Sequence, residues 1–343
     1  MRIAVISPPW APVPPKLYGG IELVVDRLCV GFQAAGHEVL LYATGDSTCP
    51  VPTQWALEHS AGQRIGMAVP EQRHVIHAYE AVAEWGADVV HDHSIIGPFH
   101  AADRYPDLPV ATTIHGPFNE ELTDLYEHLN KDGTPIIAIS HAQAASAPTV
   151  QVERVIHHGI DAADFPVGAG DGGYFLFLGR MAADKGPHRA IEAAERAGVP
   201  LLMAAKMREA WEIQFFEEHV KPHLSDTIRY LGEVPHEQKL ELLAGATGLL
   251  NPIRWNEPFG LVMIEALACG TPVLAFPEGA APEIVEDGVT GFLCSDEADM
   301  AHKIERAADL DRTACRRAVE EYFSTTRMVN EHVDLFTTML ERG

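Results

Sequence analysis

Basic residues are the conspicuous shortage in this sequence. Across 343 residues there are 25 Lys and Arg against 49 Asp and Glu, a formal net charge of -24 at pH 7. That balance argues against nucleic acid, or an anionic membrane surface, as the main partner, and it requires any basic pocket to be local. Cysteine is scarce as well. Cys29, Cys49, Cys269, Cys294 and Cys315 are an odd number without a C-x-x-C pair, which reads as reduced thiols in a cytoplasm and spells no metal site. Long apolar runs are missing: MRIAVISPPW holds one six-residue run before two prolines, too short for a signal h-region or a membrane span, and it reads as a first strand. The letters D-x-D occur at Asp309-Leu310-Asp311, in a region expected to be helical and far in sequence from the residues singled out below, so no metal requirement is expected.

What the chain does have is strands alternating with helices. Apolar runs at 2–6, 37–44, 87–93, 108–114 and 134–140 read as buried parallel strands, with helices over 21–35 and 71–85 among them, and this alternation means a doubly wound sheet. A second set follows: a strand over 174–178, then LLMAA, TIRYLGEV, ATGLLNP, TPVLAF and GVTGFLC, with helices between and a helical end over 297–342. The length suits two domains. Gly168, Gly170 and Gly173 spell G-x-G-x-x-G, but they precede a strand instead of opening a helix, so the stretch reads as a flexible linker and not as a dinucleotide fingerprint. The expected domains are 1–160, joined by the C-terminal helix 326–343, and 161–325.

The informative stretch is WNEPFGLVMIEALACGTPV, residues 255–273. Pro258 is the expected first helical residue and Gly270 the stop, giving a helix over 258–269. The N–H groups of Gly260 and Leu261 would then face an anion, and Gly260 would let a phosphate approach the backbone. Glu257 and Glu265, eight residues and roughly 12 Å of helix apart, would flank that phosphate. A carboxylate repels a diphosphate, so the layout makes sense when each Glu accepts from hydroxyls attached to the phosphates, a ribose at Glu265 and a second sugar at Glu257. Arg180 and Lys185, at the end of the 174–178 strand and the start of the next helix, bring two cations to the same diphosphate. Gly19-Gly20 opens another helix N-terminus, available for phosphate or acceptor. His115 ends an apolar strand, where open α/β sheets bind ligands. His91-Asp92-His93 also ends a strand; without a third ligand it reads as structural or as part of the acceptor side.

The E-x7-E spacing around PFGL, the GR-x4-KG spacing at Arg180 and Lys185, and His115 in T-x-H-G together resemble retaining GT-B glycosyltransferases of the family 4 type, over most of the chain. The resemblance implies two Rossmann-like α/β domains facing a central cleft. It implies transfer of a hexosyl or other sugar from a nucleotide-diphosphate sugar to an acceptor hydroxyl with retention, and no cofactor. It places His115, Glu257, Arg180 and Lys185 in catalysis, and donor binding at Gly19, Gly20, Arg180, Lys185, Val234, Glu257, Phe259, Gly260, Leu261, Val262 and Glu265. The base is expected to lie near residues 232–234, with a UDP donor preferred to GDP or ADP. Where the family commonly has Asn, this chain has His158. Loops 11–17, 46–69 and 116–130 should shape the acceptor pocket, and a small soluble acceptor, an oligosaccharide or antibiotic intermediate, is expected over a membrane lipid. Both halves of the site would be complete only when the domains close on the donor. A nucleotide-sugar epimerase of similar architecture and a non-catalytic nucleotide-sugar-binding protein are the alternatives.

Overall fold

The computed structural model describes residues 1–16 and 19–342; Leu17, the last residue of the expected acceptor loop 11–17, and Gly343, the end of the expected C-terminal helix, lie outside them. The chain divides into two compact units, Met1–Gly159 with Thr325–Gly343, and Ile160–Ser324.

The first unit holds β1 (Arg2–Ile6), β2 (Glu38–Tyr42), β3 (Thr53–Gln54), β4 (Val89–Asp92), β5 (Val110–Ile114), β6 (Ile136–Ala138) and β7 (Arg154–Val155), all parallel in the order β3-β2-β1-β4-β5-β6-β7. The inner strands β1, β2, β5 and β6 are largely apolar on both faces, as in a parallel sheet covered by helices on both sides, and so appear as continuous hydrophobic runs instead of alternating ones. The helix Gly20–Ala34 buries Val24, Val25, Leu28, Cys29 and Phe32 at three- and four-residue intervals. The last helix, Thr325–Arg342, belongs to this unit: it buries Met328, Val329, His332, Leu335 and Phe336, and the Phe336 ring lies 5.8 Å from Phe32. Gly31 leaves the space that Val329 fills.

The second unit holds β8 (Phe175–Arg180), β9 (Leu201–Lys206), β10 (Ile228–Gly232), β11 (Gly248–Asn251), β12 (Val273–Ala275) and β13 (Gly291–Leu293), again all parallel, in the order β10-β9-β8-β11-β12-β13. The direction of winding reverses between β1 and β4 in one sheet and between β8 and β11 in the other, and ligands of such sheets bind beyond the carboxyl ends at this reversal. Among the described residues no helix is long and apolar enough to cross a membrane, and all five cysteines are free and buried.

Two expectations are corrected. The glycine-rich stretch 168–173 is no flexible linker: Gly168, Gly170 and Gly172 donate their N–H groups to the carbonyls of Cys269, Ala244 and Gly245, and a side chain at Gly168 would overlap the Ala244 backbone. These glycines permit close packing on the second unit. The helix after Trp255 runs over Leu261–Ala268, not 258–269. Gly260 takes φ +97°, a left-handed conformation that breaks the helix before Leu261 and makes Gly260 its N-cap, so Pro258 stands outside.

Candidate functional site

In the second unit the residues singled out from sequence gather at the carboxyl ends of β8 and β11. Arg180 is the last residue of β8, and Gly186, with φ +79°, caps the following helix Pro187–Ala197. A side chain at Gly186 would meet the Pro252 carbonyl, so this glycine lets the turn carrying Lys185 lie against the segment after β11. That segment carries Trp255 and Glu257. Lys185 Nζ donates to Glu257 Oε2 and lies 4.9 Å from the centre of the Trp255 ring. Both ends of the pair are largely covered, with 14% and 16% of their side chains exposed. The Glu257 backbone is held in turn: its carbonyl accepts from Ala280 N at 3.0 Å, and Gly279 (φ +54°) packs so closely on it that no side chain would fit.

The opening of the helix Leu261–Ala268 follows directly. Leu261 and Val262 are its first positions, where N–H groups lack an intrahelical acceptor, so the donors expected at Gly260 and Leu261 sit one residue later. Phe259 is buried, and its ring meets the Phe323 ring at 6.2 Å. Glu265 lies in the helix with 5% of its side chain exposed and takes 2.7 Å from Lys239 Nζ. Val234 is half-buried in the turn between β10 and the helix His236–Gly245 that supplies Lys239.

Arg180 engages neither signature carboxylate. Its guanidinium lies 3.0 Å from Asp184 and 3.8 Å from Glu212, and 5.4 Å from the Trp211 ring. Glu212 is fully buried, and its other oxygen closes a capping box, accepting from the N–H groups of Arg208 and Glu209 at 2.7 and 3.0 Å. Among the described residues Arg180 Nε and Glu212 Oε1 have no hydrogen-bond partner.

The first unit contributes a separate set. His115 follows β5 and its Nε2 lies 2.8 Å from His93 Nδ1. Burial, and then the neighbouring His332, push its pKa down to about 3, so the ring is neutral at pH 7. Gln143 fixes the surrounding backbone, donating to the carbonyls of Ile114 and Gly116 at 2.9 and 2.7 Å. Gly19 precedes the helix Gly20–Ala34, but its missing side chain makes room for Pro15, and the buried Glu22 in the first turn already brings a carboxylate to that end, its pKa raised chiefly by desolvation. A phosphate there would meet this carboxylate. Among the described residues no group of His, Cys, Asp and Glu is arranged to hold a metal ion.

Sequence reasoning missed Lys239, Glu212, Gln143 and Glu22. Glu22 and Glu212 leave a faint trace, each an acid within an apolar face; Lys239 and Gln143 leave none, since both sit in ordinary helical sequence.

Two doubly wound sheets with this cluster define the class, and comparison places the chain within it. Residues 18–164 match the family model described as Glycosyltransferase Family 4, and residues 162–322 match the one described as Glycosyl transferases group 1. The chain is a GT-B glycosyltransferase of the family 4, group 1 type. It is 27% identical to the glycogen synthase of Mycobacterium tuberculosis over 93% of this chain and 88% of that protein. AviGT4, a glycosyltransferase involved in avilamycin A biosynthesis, superposes with a TM-score of 0.75 at 25% identity, covering 100% of this chain and 98% of that one. HepE of Anabaena, solved in complex with UDP-glucose, shares the fold with a TM-score of 0.78 at 17% identity, over 98% and 100% of the two chains.

Proposed function

We propose that the protein moves a sugar from a nucleotide-diphosphate sugar to an acceptor hydroxyl with retention at the anomeric carbon. The observation that carries this reading is the Lys185–Glu257 pair just before the Gly260-capped helix: a covered cation and the first N–H groups of a helix beside one carboxylate. A diphosphate would take the cation and the N–H groups, and Glu257 would turn to the hydroxyls of the transferred sugar. Arg180 supplies the second cation, and Glu265 with Lys239 receives the ribose. The anomeric carbon–oxygen bond to the phosphate breaks as the bond to the acceptor oxygen forms, and the acceptor's proton passes to the departing phosphate on the same face. Arg180, Lys185 and the helix start stabilise the charge that grows there, while His115 serves the sugar and acceptor. UDP is the preferred carrier, a reading in keeping with the UDP-glucose held by HepE. The acceptor is a small soluble one, an oligosaccharide or secondary-metabolite intermediate.

The test is incubation of the purified protein with nucleotide-sugars and mixed acceptors. An acceptor heavier by one sugar, with free nucleoside diphosphate and an unchanged anomeric configuration, supports the reading. Isomerised donor would make the protein an epimerase, and binding without turnover a sensor. Since two cations and a helix terminus serve the leaving group, turnover should persist in excess chelator; loss restored by Mg²⁺ or Mn²⁺ would show that Arg180 and Lys185 do not suffice.

A further inference from the structure

His115 belongs to a row of five imidazoles within the first unit. His332, on the last helix, has its ring centre 4.8 Å from His91; His91 lies 4.0 Å from His93, and His93 5.1 Å from His115. His158 stacks on His115 at 5.3 Å with the planes 21° apart. The rings of His93 and His115 are joined directly, Nδ1 to Nε2, at 2.8 Å. His93 is 4% exposed, and its remaining nitrogen, Nε2, is buried without a hydrogen-bond partner among the described residues. Desolvation, reinforced by the neighbouring rings, holds both histidines neutral at pH 7, so each carries a single N–H.

A neutral pair sharing one bond has two arrangements. With His115 Nε2 as donor, the proton of His93 must sit on its Nε2, a buried N–H with nothing to receive it. With His93 Nδ1 as donor, the unmet atom is a bare lone pair. Orphaned buried donors are the rarer and costlier of the two. We propose that His93 is a positioning residue that donates Nδ1–H to His115 Nε2 and thereby fixes His115 in its Nδ1–H tautomer, leaving that N–H as the group His115 offers to a sugar or acceptor oxygen. The Gln143 bonds to Ile114 and Gly116 hold the backbone, and the stacked His158 holds the ring, so the tautomer is the remaining freedom that His93 removes. The role in transfer rests on the reading of His115 given above; the tautomer itself does not.

Nitrogen-15 histidine labelling of the whole chain, with long-range nitrogen–proton correlation at neutral pH and no ligand, reads the tautomer. His115→Ala identifies the signal. The expected wild-type pattern is Nδ1–H, shifting toward Nε2–H in His93→Leu and returning in His93→Asn, whose amide nitrogen can occupy the donor position. In the transfer assay His93→Leu should lower kcat roughly ten-fold or more with donor KM within about three-fold, and His93→Asn should recover most of it. A wild-type Nε2–H pattern overturns the proposal, as does a Leu variant with unchanged tautomer and rate. If His93→Leu fails to fold, the wild-type spectrum decides alone. Failure of the transferase reading would leave the tautomer result standing, whereas active enzyme with the other tautomer would sink this proposal only.

Discussion

Each signature carboxylate already holds a lysine, and the two pairs make different demands on a nucleotide. Glu265 is the more covered of the two carboxylates, and a ribose would join its pair with Lys239 by using a remaining acceptor position on Glu265. Removing the charge from Glu265 weakens that acceptor, and a charge-assisted hydrogen bond is worth ~1.5–3 kcal/mol, so Glu265→Gln should raise Kd for nucleoside diphosphate and nucleotide-sugar alike by roughly ten- to a hundred-fold in calorimetry. Lys185–Glu257 works in the opposite sense. Here the carboxylate competes with phosphate for the cation. Glu257→Gln should therefore leave affinity for the free nucleoside diphosphate unchanged or improved while turnover and sugar discrimination fall. Equal losses of affinity in the two variants would refute this division of labour.

At the scale of elements, the helix Leu261–Ala268 depends on a break at Gly260. An alanine there must hold φ near +97° and would meet the Met263 side chain, 2.7 Å from the new methyl. Gly260→Ala should cost about 1–2 kcal/mol of stability, or roughly 2–4 °C of Tm for each kcal/mol, and should weaken donor binding because the first turn reorients. A variant of wild-type Tm and affinity would show that the helix start tolerates a side chain. The far end of the same helix is tied to the rest of its unit by Arg312, which donates to the carbonyls of Gly168, Ala246, Ala244 and Cys269 and, at 2.7 Å, to the Thr271 hydroxyl. Arg312→Met strands several of these acceptors together. We expect a loss of about 2–4 kcal/mol in urea unfolding with the glycine segment 168–173 becoming exchange-labile; a loss under ~1 kcal/mol would make the arginine a peripheral clamp.

For the molecule as a whole, the buried histidines set the response to acid. His115 is depressed to about 3, His74 and His332 to about 4, and His91, His93 and His158 lie well below their usual value, each chiefly through desolvation. A histidine with a lowered folded pKa contributes stability that is fully present above its unfolded value near 6.5 and is lost as pH falls toward the folded value, because the unfolded chain takes up the proton first. Asp92, raised to about 6 by burial, and Glu22 and Asp26, also raised, act the other way over part of that window. The histidines outnumber them. All of these groups lie in the first unit, so lowering pH from 7 to 5 should reduce hydrogen-exchange protection, corrected for intrinsic rates, in β4 and β5 more than in β8 and β11. Equal or rising protection in β4 and β5 would mean that the acids dominate.

The order of strands and helices was legible because it is written locally: an apolar run of four to six residues can be buried on both faces wherever the chain leads it, and a helical stripe recurs at three and four. The identity of the site residues was legible in part for the same reason, since Glu257, Gly260 and Glu265 lie within one turn-and-helix segment. Their partners were not. Lys185 meets Glu257 from 72 residues away and Lys239 meets Glu265 from 26, distances over which nothing in the sequence states which side chains will face each other. The start of the helix was misplaced for a related reason: Pro258 is a sound first residue by local preference, but the left-handed Gly260 and the turn locked by Gly279 against Glu257 override it. The glycines at 168–173 have the composition of a linker, and only the carbonyls and the arginine packed around them make them part of a core. The imidazole row shows the same limit most fully. Its members come from β4 and the residue after it, the residue after β5, the segment after β7 and the last helix, and only the closure of the first unit brings the five rings into one row, because side-chain contact is decided by how elements pack and not by where their residues stand in the chain.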